Sequence, residues 1–192
     1  TSKIYVQGNK TYVAGIPIIL RGVNRGHFEE DPSGQWGTIG GGLYNRGNYD
    51  PEQMKYELDF MASKGVNVLR LYERVEWWLK NTPASVIRNG GTTWDGQTTM
   101  THRQILHDII SYAATKGIYI VYCPWTLDSS NQLLQQLPHQ PATLADGTPW
   151  GEQGFRNYWL SVVNELKVYE NVVWEPWNEP YGASGLEWQR VW

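Results

Sequence analysis

The sequence predicts an α/β fold, a partial TIM-type (β/α) barrel forming a single incomplete domain over residues 1–192. About four parallel strands, three to four helices and a short N-terminal β-hairpin make up this half barrel. Three observations predict it. Short runs of β-branched and apolar residues alternate with amphipathic helical patterns, which implies a parallel sheet with right-handed crossovers. Long connections follow strand ends, whereas helix-to-strand joints such as Lys64-Gly65-Val66 and Lys116-Gly117-Ile118 are short, an asymmetry typical of barrels whose loops gather at one face. A doubly wound sheet fits less well, because Gly40, Gly41 and Gly42 lie too far before Pro51 to form a phosphate-binding turn that opens a helix.

The elements follow in order. Ile4–Val6 and Tyr12–Ala14 flank the turn Gly8-Asn9-Lys10 as a hairpin, and Ile18–Val23 reads as the first strand. A glycine-rich loop, Asn24–Tyr49, leads to a helix with Asp50 as N-cap, Pro51 in its first turn, Met54, Leu58 and Met61 on one face, and Gly65 at its end. Val66–Leu71 is the second strand. After a further loop, Thr101 and Gln104 make a capping box for a helix carrying Ile105, Leu106, Ile109, Tyr112 and Ala113. Ile118–Tyr122 is the third strand. Phe155, Tyr158, Trp159, Val162, Val163 and Leu166 then recur at helical spacing before a fourth strand that starts at Val172.

A net charge of −3, spread without blocks of one sign, argues against nucleic acid or an anionic membrane as partner. One cysteine, Cys123, excludes an internal disulfide framework. Eleven tryptophans and twelve tyrosines against three phenylalanines favour rings with a polar tip, suited to surfaces that are apolar on one face and wet at the edge, as sugar rings are. Seven of the eleven tryptophans fall in loops after strands: Trp36, Trp77, Trp78, Trp94, Trp125, Trp150 and Trp177. Trp177 and Trp125 are the foremost candidates for stacking on sugars, with Trp36, Tyr72 and His27 as further contacts. Trp159, Trp174 and Trp188 are expected to pack.

The run Trp174-Glu175-Pro176-Trp177-Asn178-Glu179-Pro180 carries the chemistry. Proline ends regular pairing, so Glu179 should stand at the C-terminal lip of a strand, where barrel enzymes keep their reactive groups. Alternation puts Val68, Arg70 and Tyr72 on the inner face of the second strand and Leu69 and Leu71 on the other. An interior arginine needs a carboxylate; Glu175 and Glu179, on a single face of the fourth strand, are natural partners, and Glu175 is expected to form a fold-stabilising ion pair with Arg70 or Arg21. Glycoside hydrolysis needs one carboxyl to protonate the leaving oxygen and a second to attack or to activate water, about 5–5.5 Å away for retention or roughly 6.5–9.5 Å for inversion. Glu179 fits the first role, and Asn178 beside it fits a contact to a sugar hydroxyl.

Leu20-Arg21-Gly22-Val23-Asn24, Asn67-Val68-Leu69-Arg70-Leu71 and the stretch Asn171 to Pro180 together resemble the first, second and fourth strands of family-five glycoside hydrolases, the cellulase family of the retaining (β/α)8 clan. The resemblance runs through nearly the whole chain and matches an N-terminal half. It implies Glu179 as general acid/base, Asn178 as its sugar-binding neighbour and Arg70 as the arginine that steadies the nucleophile. It further implies β-1,4-glucan or cello-oligosaccharide as substrate, related β-mannans as an option, secretion, and neither cofactor nor metal. The family's histidine after the third strand has no counterpart in Tyr122-Cys123-Pro124-Trp125.

The family's nucleophile belongs to a seventh strand, whereas this sequence stops within an expected fourth helix, Gly185–Trp192. Within the chain, Glu73, Glu29 and Glu30 near the rim are the candidates for a second carboxylate, with Asp128 comparable; Glu175 lies about 13 Å deeper at the usual strand rise. Four parallel strands leave two bare edges and an open inner face, which predicts a homodimer or higher homo-oligomer. The alternative to an active glucanase is a carbohydrate-binding remnant or fragment of a cellulase that does not itself catalyse hydrolysis.

Overall fold

A computed structural model describes residues 2–25, 49–81, 83–88, 93–130, 132–134 and 140–180, of which 84–88 and 93–98 are described by backbone alone. The chain opens on an antiparallel meander of β1 (Ile4–Gln7), β2 (Lys10–Val13) and β3 (Ile16–Ile18). Gly8, in the turn between β1 and β2, has φ +61°, a conformation that tight hairpins need and that a Cβ disfavours.

The predicted first strand, Ile18–Val23, is in fact divided between two sheets. Ile18 pairs with Thr11 in the meander, while Gly22–Arg25 forms β4 of the main sheet. Between them Asn67 serves the backbone groups that neither ladder reaches: its Nδ2 donates to Ile19 O at 2.9 Å and its Oδ1 accepts from Arg21 N at 2.7 Å.

The remaining elements are α1 (Pro51–Ser63), β5 (Val68–Arg74), α2 (Val75–Lys80), β6 (Pro83–Arg88), β7 (Thr93–Thr101), α3 (His102–Thr115), β8 (Tyr119–Trp125), β9 (Ala142–Thr143), β10 (Pro149–Trp150), α4 (Glu152–Leu166) and β11 (Val172–Trp174). The main sheet is parallel, with strands in the order β11-β8-β5-β4. Spatial order thus follows chain order without the reversal of a doubly wound sheet, which is how barrel strands are laid down. The α/β class and a four-stranded parallel sheet that fits a partial barrel agree with the expectation. The loop expected after the second strand instead holds α2 and the β6–β7 hairpin.

Local chemistry sets the helix starts. Asp50 Oδ1 accepts from Glu52 N and Gln53 N, each at 2.9 Å, with Pro51 opening α1. Thr101 and Gln104 close a reciprocal capping box on α3, with Thr101 N donating to Gln104 Oε1 at 2.8 Å. Alternation along β5 divides two environments. Leu69 and Leu71 are sealed beneath the helices with Ile120 and Tyr122 of β8, packed with Leu58, Ile105, Ile109, Tyr158 and Val162. Val68, Arg70 and Tyr72 face the other way and keep partial exposure. That second surface is the inner face of the barrel curve.

Replacing Thr101 with alanine removes one half of the capping box, and should lower stability by about 1 kcal/mol. Leu69→Ala empties a sealed position and should cost about 2–5 kcal/mol. Urea midpoints of the two variants check both values and their order.

Candidate active site

The site lies where β5, β8 and β11 end together. β11 stops at Trp174 because Pro176 lacks an N–H and the chain bends through 176–179. The segment nevertheless stays on its neighbour: Glu175 N donates to Tyr122 O at 3.0 Å and Asn178 N to Pro124 O at 2.9 Å. Glu175 and Glu179 therefore do not share the face of one continuous strand, as simple alternation predicts. The bend brings Asn178 beside the inner-face arginine.

Arg70 is the hub. Its Nε donates to Glu175 Oε2 at 2.6 Å and its Nη2 to Glu175 Oε1 at 2.5 Å, a two-point ion pair. The same Nη2 reaches Cys123 Sγ at 3.1 Å and Asn178 Oδ1 at 3.2 Å. The guanidinium carbon sits 4.4 Å from the centre of the Tyr72 ring, within reach for a cation–π contact. The hydrogen bonds to Glu175 hold the Arg70 pKa above its ordinary value, against the opposing effect of burial. Burial, followed by the negative charge of Glu175, pushes the Cys123 thiol well up.

Glu179 is exposed at the lip, and its backbone φ of +47° lies in the left-handed region. A non-glycine residue held there costs about 1–3 kcal/mol, and such conformations gather at functional sites. Asn178 is 8% exposed.

The other expected residues divide. Tyr72 is half-buried on the inner face, and Trp125 is half-buried at the end of β8, with the Arg74 guanidinium 5.4 Å from its ring. Trp177, expected to stack on sugar, is 1% exposed: its indole donates to Leu134 O at 2.6 Å and packs on Trp150 and Phe155. It anchors the bend from below instead of lining a groove. Trp77, Trp78 and Trp150 are likewise buried. The segments that carry them fold into α2 and β10, and Trp78 and Trp150 join the main core. Trp159 is buried and Trp174 packs beside it, as expected.

Glu73 is also corrected. It is 2% exposed and pairs with His102 Nε2 at 3.0 Å, because it shares the parity of Leu69 and Leu71 and so points to the helix side. Asp128 organises its own loop, its Oδ1 accepting from Ser130 N and Gln132 N. His27, Glu29, Glu30, Trp36, Trp188 and the expected helix Gly185–Trp192 lie outside the described residues, as does the side chain of Trp94. Sequence reasoning missed Cys123 as an acceptor for Arg70 and the buried pairs Glu73–His102 and Arg74–Glu76 behind the rim. Strict alternation carried two residues further along β5 would have found Glu73. No helix among the described residues is long and apolar enough to cross a membrane.

Parallel strands in barrel order, with an arginine-held carboxylate and an exposed glutamate at their ends, define a protein of the (β/α)-barrel class. The chain belongs to glycosyl hydrolase family 5, whose family description, Cellulase, matches residues 31–192. Among solved structures, a cellotetraose complex of a variant endocellulase from Pyrococcus horikoshii is 26% identical with a TM-score of 0.62, over 95% of this chain and 45% of that one. A hyperthermostable endocellulase (24%, TM-score 0.61, 95% and 45%) and a family 5 glycoside hydrolase from Bacteroides vulgatus (15%, TM-score 0.51, 90% and 32%) share the fold. The chain thus spans less than half the length of these structures. A comparison with curated proteins finds no match.

Since burial and the Glu175 charge both oppose the thiolate, Cys123 should react with a disulfide reagent at pH 8 about tenfold or more slowly in the folded protein than in denaturant. Absorbance-monitored thiol titration measures it.

Proposed function

We propose that the protein hydrolyses β-1,4-glucan chains, with Glu179 as the general acid/base. The carrying observation is that Glu179 stands exposed at the strand-end lip directly after Asn178, whose side chain is held by Arg70. In this reading the Glu179 carboxyl gives its proton to the glycosidic oxygen as the C–O bond breaks. It later takes a proton from the water that completes hydrolysis. Asn178 bonds a sugar hydroxyl, and Arg70 steadies the second carboxylate while holding Asn178. Tyr72 and Trp125 offer partly exposed rings on the inner face and rim, with Trp36 and His27 from the first loop as further sugar contacts. The cellotetraose bound in the Pyrococcus structure supports a cello-oligosaccharide ligand. The chemistry requires neither cofactor nor metal, and a polymeric substrate suits a secreted protein.

The second carboxylate is not Glu73, which is sealed with His102, nor Glu175, which is spent on Arg70. Glu29 or Glu30 of the first loop is the source within residues 1–192, taken as one incomplete barrel domain. Outside those residues, the source is a further segment of the same polypeptide or a partner copy. Among the described residues β4 and β11 are the outer strands of the main sheet, and homo-oligomerisation that covers them is one way to complete the site.

Glu179→Gln should lower kcat on p-nitrophenyl β-cellobioside and carboxymethyl-cellulose by about 10²–10⁴-fold and leave cello-oligosaccharide affinity in place. Unchanged turnover would refute the assignment. Wild-type protein that binds but releases no reducing sugar at any concentration would favour the carbohydrate-binding alternative. Light scattering should report a dimer or larger species, and a monomer with full activity contradicts assembly between copies.

A further inference from the structure

We propose that Glu175 is a positioning residue: acting through Arg70, it fixes which end of the Asn178 amide faces the sugar. The inference rests on the reading of Asn178 as a sugar contact beside Glu179.

A guanidinium has donors only, so the atom of Asn178 that meets Arg70 Nη2 at 3.2 Å must be the carbonyl oxygen. Turning the amide over would set N–H against N–H. With Oδ1 pinned and the backbone held by Asn178 N to Pro124 O at 2.9 Å, the NH₂ occupies the opposite branch of the planar group. Asn178 therefore presents a donor to the ligand. It can recognise a hydroxyl as acceptor, and it rejects a sugar lacking one there.

Arg70 can do this only while its own plane is fixed. Glu175 fixes it by accepting from both Nε and Nη2, at 2.6 and 2.5 Å, while the Tyr72 ring lies against the guanidinium. Two hydrogens on Nη2 serve three acceptors: Glu175 Oε1, Cys123 Sγ and Asn178 Oδ1. Glutamine at position 175 can offer only one acceptor oxygen, and its NH₂ would oppose an arginine N–H. The fork then swivels, and the hydrogen bond to Asn178 is shared or lost.

The test uses the Glu179→Gln protein, which leaves a bound glycoside intact, with and without Glu175→Gln. The probes are methyl β-cellobioside and its analogue lacking the 2-hydroxyl on the ring that bears the methyl group. Calorimetry should show about 3–10-fold preference for the hydroxylated ligand in the parent, the worth of one hydrogen bond, and near-equal affinities after Glu175→Gln. Equal selectivity in both proteins overturns the proposal.

Independently of any sugar, ¹⁵N relaxation of the Asn178 side-chain amide should show an ordered group that loosens to an order parameter below about 0.6 in the variant. The same order in both overturns the proposal whatever the ligands do. Glu175→Asp retains the charge and shortens the reach, and should fall between the two if Glu175→Gln fails to fold. Absence of all sugar binding by the parent would overturn the functional reading instead, and the relaxation result still decides the role of Glu175.

Discussion

A guanidinium on the inner face of a parallel sheet has few ways to be satisfied. Arg70 sits midway along β5, half withdrawn from water, with five donors and no acceptor. A charge in that position needs an ionic partner with good geometry and acceptors for its remaining hydrogens. Glu175 provides the charge from the end of β11, Cys123 and Asn178 provide the further acceptors, and Tyr72 provides the ring face. These four groups come from three adjacent strands or their ends. The register of β5 on β8 and of β11 on β8 is therefore linked to the satisfaction of one cation. The cluster also explains why the chain clings to β8 after β11 has formally ended.

Function grows from what that cluster leaves facing outward. Holding Asn178 from behind brings the next residue, Glu179, to the lip in a left-handed backbone conformation. Trp177, just before, points the opposite way and is locked under Trp150 and Phe155. Three consecutive residues thus divide the labour: one anchors the bend in the core, one is oriented by the arginine, and one is presented to solvent. The paired prolines Pro176 and Pro180 suit such a segment, since neither could join a ladder as donor.

Much of this was legible in the sequence because it depends on local rules. The caps at Asp50 and Thr101 and the inner-face position of Arg70 follow from spacing, and the cost of an unpaired charge calls for an arginine on Glu175, for which the structure selects Arg70 over Arg21. The residues that were misread depend on tertiary packing. Whether a loop tryptophan stacks on ligand or fills a core is decided by neighbours remote in sequence, and Trp177, Trp78 and Trp150 all found such neighbours. The break between β3 and β4 depends on Asn67, more than forty residues away, whose side chain serves the backbone between the two sheets. Distance along the strand puts Glu73 at the rim, but parity turns it to the helix side, onto His102.

On the proposed function, a sugar chain lies against the ends of β5, β8 and β11, over the Arg70 cluster. Chemical-shift mapping with cellotetraose on the ¹⁵N-labelled protein tests it most directly. Perturbations should concentrate at Tyr72, Trp125, Asn178 and Glu179. Perturbations confined to the outer surfaces of α1, α3 and α4, with those four unmoved, would contradict it.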